Sequence, residues 1–500
     1  MRAQHSLYIT ETSSGLLPDA PLKYSSLKFS FFRMAFISDC VFQCCVFLLL
    51  LSTTLPHSSQ VFGELIDAQH HHVVRVSSLL PSKVCSSSED SSPSRLRVVH
   101  RHGPCSPSLL ESKRSHEQIL SQDKARVDSL HRKISASKRD AMENSLAVSV
   151  PTHAGISLGT GNYIVNIGVG TPKKDFAVVF DTGSDLSWIQ CSPCTNCYKQ
   201  QDPFFDPAES STYSNISCNS AECVQLDSAS CSAESTCRYQ IKYGDNSQTD
   251  GNFGRDTLTL TPSAVLPGFL FGCGNNNTGL FGRTDGLLGL GRDKVSLALQ
   301  ASRKYGSGFS YCLPSRASST GFLAIGGGTS IKKVRFTRII SDVRSPSFYF
   351  LNLVAIKVGG RRLPIRRTMF STTGTLIDSG TVITRLPPSA YSALRSAFHN
   401  LMTKYPPAPA FSILDTCYNF TGYSTVSVPK ISLVFAGGVS LDVDFSGILY
   451  VLSLSQACLA FAGNRDQSGV GIIGNTQQKT FNVIYDLPNK RIGFSPKGCA

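Results

Sequence analysis

The chain has 500 residues, 41% hydrophobic and 16% charged, which is too long for one small domain and too apolar for a disordered chain. Lysine and arginine total 48 against 34 acidic residues, a surplus of +14 that permits a polyanion partner without requiring one. Residues 151 to 500 keep 31 basic against 21 acidic residues, spread without long runs, so no clustered nucleic-acid stripe is visible.

Residues 1–60 read as an N-terminal extension and signal peptide. The run from Val41 to Leu51 is too short to span a bilayer and is followed by Ser52, Thr53 and Thr54, the pattern of a signal-peptide apolar core. No stable membrane span is expected. Lys23, Lys28 and Arg33 stand far upstream of that core, and Met34 sits where an ordinary signal peptide would begin. Residues 61–150 read as a propeptide, with the Ser-rich phrase VCSSSEDSSPS and a charged, helical-looking stretch from Glu111 to Lys138. His70, His71 and His72 are assigned no role, because a solvated loop explains them without further ligands.

From residue 161 the texture is all-β. GNYIVNIGVGTP, KDFAVVFDTGSDLSWIQ, VRFTRII, FYFLNLVAIKVGG and FNVIYDLPNKRIGF are short runs rich in Val, Ile, Phe and Tyr, bounded by Gly, Pro, Asn or Asp. Helical periodicity is confined to Val295–Lys304 and Ser389–Lys404, the second preceded by Pro387 and Pro388. Of 17 cysteines, five (Cys40, Cys44, Cys45, Cys85 and Cys105) precede residue 150 and twelve follow, an even number that suits a disulfide framework and an oxidising secretory route. The CxxCxxC rhythm of Cys191, Cys194 and Cys197 is zinc-like, but no His cluster follows and disulfides are preferred.

An internal repeat carries the functional reading. AVVFDTGSDLSW (Ala177 to Trp188) and GTLIDSGTVITRL (Gly374 to Leu386) each place Asp-Ser/Thr-Gly-Ser/Thr after an apolar strand, with Asp181 and Asp378 197 residues apart. Each is followed by a Gly-apolar-apolar-Gly element, Gly286–Gly289 and Gly471–Gly474. Two related lobes are implied, each presenting one carboxylate on a tight glycine turn. Carboxylates that face each other share a proton and split their pKa values, an effect for which aspartic proteases are the standard illustration. One then acts as base toward a water held between them while the other donates to the scissile carbonyl, with no metal or cofactor.

At these residues the chain resembles the pepsin-like aspartic proteases over residues 161 to 500. It is most similar to the plant branch of nepenthesins and plastid-nucleoid-type proteases, because DTGSDLSW is followed by a Cys-rich insert, residues 191–237, and LRVVHRHGPCSPS resembles the propeptide of the second subgroup. The resemblance implies a bilobal all-β fold with pseudo-twofold symmetry and a cleft between an N-terminal lobe, 151–335, and a C-terminal lobe, 336–500. It implies Asp181 and Asp378 as catalytic residues, with Gly183 and Gly380 in their loops. Thr182 and Ser379 would lock the loops together, and Ser184 and Thr381 would bond the outer carboxylate oxygens. Tyr243 and Gly244 would belong to a flap, supported by Trp188; Asn246 replaces a commoner flap glycine, and Asp185 follows Ser184 as is usual for the plant branch. Implied disulfides are Cys191–Cys194, Cys197–Cys273, Cys218–Cys237, Cys223–Cys231, Cys312–Cys499 and Cys417–Cys458.

Asn215, Asn276 and Asn419 stand in glycosylation sequons. Basic residues upstream of the lobes, among them Arg97, Arg101, Lys113 and Arg114, are expected to pair with the two carboxylates and to leave when acid protonates them, a solvated charged helix being the alternative. The activity expected is an acid endopeptidase, a monomer acting on protein or peptide substrates, secreted to the apoplast, with vacuole and plastid also open. Two alternatives stand beside it: a catalytically weak binding or inhibitor protein on the same fold, and a plastid protease that also binds DNA.

Overall fold

The structure is a computed structural model and describes residues 69–86, 94–107, 115–143, 163–243, 247–279, 281–326, 333–342, 345–371 and 374–499. The signal-peptide reading, Lys113, Arg114, Gly244 and Asn246 lie outside the described residues. Tyr163–Val169 and Lys174–Asp181 form an antiparallel hairpin with Ile164 opposite Val179. Gly286–Gly289 then runs parallel to Lys174–Asp181 and antiparallel to the short strand Trp188–Gln190. The second half repeats the arrangement, with Gly471–Ile473 parallel to Thr375–Ile377 and antiparallel to Thr384–Leu386. The glycines are required by close approach: a Cβ on Gly286 would lie 1.9 Å from the Trp188 carbonyl oxygen, and one on Gly474 2.6 Å from that of Val382.

The result is a two-lobed, mostly β fold of the pepsin-like kind. Helices are few. Pro388–Leu401 begins with proline in its first turn and buries Tyr391, Leu394 and Phe398. The helix expected over Val295–Lys304 is instead two single turns, Leu297–Gln300 and Ser302–Tyr305.

The segment upstream of Tyr163 is woven into this frame. Strand Arg95–His100 fills the place between Tyr163–Val169 and Thr320–Ile325, antiparallel to both, with Val99 opposite Ile164 and Thr320. Strand His71–Arg75 pairs with Thr425–Pro429. The long helix α1, His116–Glu143, begins at a reciprocal cap in which the Gln118 amide donates to Ser115 Oγ at 3.2 Å and the Ser115 amide to Gln118 Oε1 at 3.1 Å. One face of α1 buries Leu120, Asp123, Arg126, Val127, Leu130 and Ile134, a spacing of three and four residues that marks one helical stripe. The helix is therefore not a solvated one.

Seven disulfides join described residues, and four of the implied pairings are replaced. Cys191 pairs with Cys273 and Cys194 with Cys197, because Trp188–Gln190 lies parallel to Gly272–Gly274 and delivers Cys191 beside Cys273, 5.4 Å apart at Cα. Cys223 pairs with Cys237 and Cys218 with Cys231. Here burial sorts the partners: Cys223 and Cys237 are both in the core, while Cys218 and Cys231 both lie toward solvent. Cys312–Cys499 and Cys417–Cys458 are formed as implied, and Cys85–Cys105 closes a loop upstream of α1.

Candidate active site

Each aspartate sits where an apolar strand breaks into a glycine turn, and the two turns repeat the same contacts. Asp181 Oδ1 accepts from the Gly183 amide at 3.0 Å and its Oδ2 from Ser184 Oγ at 2.8 Å. Asp378 Oδ1 accepts from the Gly380 amide at 3.1 Å and its Oδ2 from Thr381 Oγ1 at 2.5 Å. Between the turns, the Thr182 amide donates to Ser379 Oγ at 3.0 Å and the Ser379 amide to Thr182 Oγ1 at 2.9 Å. The loops approach so closely that a Cβ on Gly183 would lie 2.8 Å from Asp378 Oδ1, and one on Gly380 2.4 Å from Asp181 Oδ1. Both carboxylates are buried. Burial pushes the Asp378 carboxyl up to about 6, with the Arg126 charge pulling it down and Asp181 pushing it up.

The adjacent Asp185 turns away from this pair. It accepts from the Asp293 amide at 2.9 Å and from the Ser347 hydroxyl, and burial raises it to about 6. Tyr243 is buried at the end of Cys237–Lys242, and its hydroxyl accepts from Trp188 Nε1 at 2.9 Å; Phe281 packs edge-on against both rings.

What fills the space above the two aspartates is Arg126 of α1. Its Nη2 donates to Asp181 Oδ1 at 2.8 Å and to Asp378 Oδ1 at 3.0 Å, and its Nε to Asp378 Oδ2 at 3.0 Å. Burial works against this guanidinium's charge, but Asp181 and Asp378 more than restore it, so its pKa is raised. One turn earlier, Asp123 accepts from the Val382 amide at 2.6 Å and from Arg385 Nη2 at 2.7 Å. The upstream arginines singled out from sequence do other things. Arg97 is exposed, and Arg101 donates to the Phe281 carbonyl at 2.5 Å. Arg126 was missed because every basic residue of a charged stretch looks alike in sequence. The signal that separates it is register: Asp123 and Arg126 fall on the apolar stripe of Leu120, Val127, Leu130 and Ile134 rather than on the charged face.

A cavity of about 1460 Å³ lies away from the aspartates, between the upstream segment and the second lobe, where His100, Tyr163, Tyr450 and Lys479 line it. Of the sequon residues, Asn215 is exposed, while Asn276 and Asn419 are half-buried and the Asn276 amide donates to Asp250 at 2.7 Å.

Two lobes that each bring one Asp-Ser/Thr-Gly loop to a common point define the pepsin-like class. Residues 163–327 match the family model described as xylanase inhibitor N-terminal, and residues 348–496 the one described as xylanase inhibitor C-terminal. An Arabidopsis thaliana aspartyl protease family protein is 50% identical over 443 residues, covering 86% of this chain and 93% of that protein. The aspartic proteinase nepenthesin-2 of Nepenthes gracilis is 38% identical over 370 residues, covering 72% of this chain and 82% of its own length. Among solved structures, basic 7S globulin from soybean shares the fold with a TM-score of 0.56 at 23% identity, over 68% of this chain and 94% of that one. The chain belongs to the pepsin-like aspartyl protease family, in its plant branch.

Proposed function

We propose that the protein is an aspartic endopeptidase made as a secreted zymogen and active on proteins or peptides at acidic pH. The observation that carries the reading is the matched pair of carboxylates, Asp181 and Asp378, each held by a glycine amide and a hydroxyl. Mutual repulsion splits such a buried pair so that one member keeps a proton, and the raised value of Asp378 suits it to be the acid. The ionised partner then takes a proton from a water lying between them, the water oxygen attacks the scissile carbonyl, and the protonated partner donates to the carbonyl oxygen. The tetrahedral intermediate collapses with proton transfer to the leaving amine, and no acyl-enzyme forms. Thr182 and Ser379 keep the two loops at fixed separation, and Tyr243, braced by Trp188, belongs to the flap over the cleft.

Residues 61–150 are the propeptide on this reading, and Arg126 is its blocking group: a guanidinium on both carboxylates leaves no room for the water or the substrate carbonyl. The test is peptide hydrolysis between pH 3 and 6 after removal of the propeptide, with and without pepstatin, beside Asp181→Asn and Asp378→Asn. Pepstatin-sensitive cleavage lost in both variants is the expected result; no cleavage from correctly disulfide-bonded protein moves the reading to a binding protein on the same fold. DNA binding has one specific support, a local cluster that the even spread of charge over residues 151 to 500 conceals: Arg361, Arg362, Arg366 and Arg367 are all exposed within one short stretch. Salt-sensitive DNA retention that those four residues, changed together, abolish would establish it.

A further inference from the structure

The helix α1 sends two side chains of opposite charge into the cleft, and only Arg126 is explained by the aspartate pair. Asp123 enters a separate receptor. Its Oδ1 accepts from the Val382 amide at 2.6 Å, and its Oδ2 accepts from Arg385 Nη2 at 2.7 Å and from the Ile383 amide at 3.3 Å. These three donors lie four to seven residues after Asp378, on the chain that leads from its turn into strand Thr384–Leu386. The strand is clamped on both sides, Arg385 standing opposite Ile472 and Ala462, so the guanidinium is presented by the sheet and not by a loose loop.

Arg385 is 3% exposed, and Asp123 is the one carboxylate that pairs with it among the described residues. Its Nε is buried without a hydrogen-bond partner. A buried cation with unspent donors is costly unless an anion meets it. When α1 leaves the cleft, Arg385 and the two amides lose that anion together. What lies there next is either water, which solvates the guanidinium, or a substrate group that displaces it, of which a carboxylate restores the ion pair.

We infer that Arg385, with the Val382 and Ile383 amides, is an acid-selective subsite of the cleft, so that peptides carrying an Asp or Glu side chain near the cleaved bond are preferred substrates. Asp123 is then the propeptide's imitation of that side chain, as Arg126 is the plug of the aspartate pair. The inference rests on the endopeptidase reading.

The experiment takes the full chain, matured by acid or by an added protease, and compares wild type with Arg385→Gln and Arg385→Lys. A peptide series places Asp, Asn or Lys in turn at each position around the cleaved bond, assayed at pH 5 where a peptide Asp is ionised. The expected result is one position at which Asp exceeds Asn by roughly tenfold or more in kcat/KM, the size of a charge-assisted contact. That ratio falls to near unity in Arg385→Gln and is partly kept in Arg385→Lys. Equal Asp and Asn rates at every position in wild type, or a ratio unchanged in Arg385→Gln, overturns the inference and leaves the Asp123 pair a device of the latent form. A second arm measures binding in trans of a synthetic peptide of residues 115–135 and its Asp123→Asn version. Wild type prefers the first and Arg385→Gln does not distinguish them. If no peptide is cleaved, the endopeptidase reading fails and the subsite inference falls with it, whatever the helix peptide does; if cleavage is robust and the substrate preference is absent, the subsite fails alone. Circular dichroism of the variants separates either result from misfolding.

Discussion

Thr182 and Ser379, 197 residues apart in the chain, exchange amide-to-hydroxyl hydrogen bonds of 3.0 and 2.9 Å, so each loop closes the other. Replacing Thr182 by Val leaves the Ser379 amide buried without its acceptor, at a cost of about 1 to 3 kcal/mol. Ser379→Ala does the same to the Thr182 amide. Denaturant unfolding of both single variants and the double variant is expected to show coupling, the double costing less than the two singles added.

Arg126→Met leaves two buried carboxylates facing α1 with no cation, a loss of about 3 to 5 kcal/mol for a broken buried pair. Propeptide removal is expected to begin at higher pH than in wild type. The gap between the two narrows as pH falls through about 6, where Asp378 takes a proton and the wild-type Arg126 loses one of its two ionised partners. Arg97→Ala, at an exposed position, is expected to mature at the wild-type pH. Band shift on gels across a pH series reads all three.

Acid release has a driver beside the aspartates, the imidazoles. At Asp378 burial raises the value while the Arg126 charge lowers it, and only the second is a contact that protonation weakens in favour of release. His100, on strand Arg95–His100 beside Tyr163, has its causes all pointing one way: burial first, then Lys479, Arg101 and His116, push it from 6.5 down to about 3. The docked strand refuses a proton that the released strand accepts, so its attachment is undiminished above pH 6.5 and weakens steadily between 6.5 and about 3. Burial lowers His116 and His131 of α1 as well, in the same sense. His100→Phe is therefore expected to mature at lower pH than wild type; an unchanged or higher maturation pH excludes His100 as a driver.

Trp188 is the single tryptophan of the chain, and its indole donates to the Tyr243 hydroxyl. Tyr243→Phe removes that acceptor and leaves a buried indole N–H unpaired, about 1 to 3 kcal/mol. A drop in kcat/KM of roughly tenfold is expected, together with a shifted tryptophan emission in the free protein. Because one tryptophan supplies the whole indole emission, pepstatin titration followed by selectively excited tryptophan fluorescence is expected to report closure of the proposed flap in wild type. A flat titration in a protein that cleaves peptides would detach Tyr243 from the flap.

The all-β character, the two-lobe repeat, the aspartate turns and their hydroxyl supports were legible in the chain because each depends on local pattern. An apolar strand must be followed by glycine wherever two turns meet closely, and Gly183, Gly380, Gly286 and Gly474 show the contact that forbids a side chain. Three things were decided only by tertiary structure. Cysteine partners depended on which strands lie side by side and which sulfurs are buried, as with Cys223 and Cys237. The choice of Arg126 over Arg97 and Arg101 depended on which face of α1 meets the cleft. The pairing of Asp123 with Arg385 joins residues 262 apart. Sequence carries the residue types and their local spacing; burial and opposition between distant segments arise only when the chain has closed on itself, and those are what set Arg126 against the two aspartates and Arg385 against Asp123.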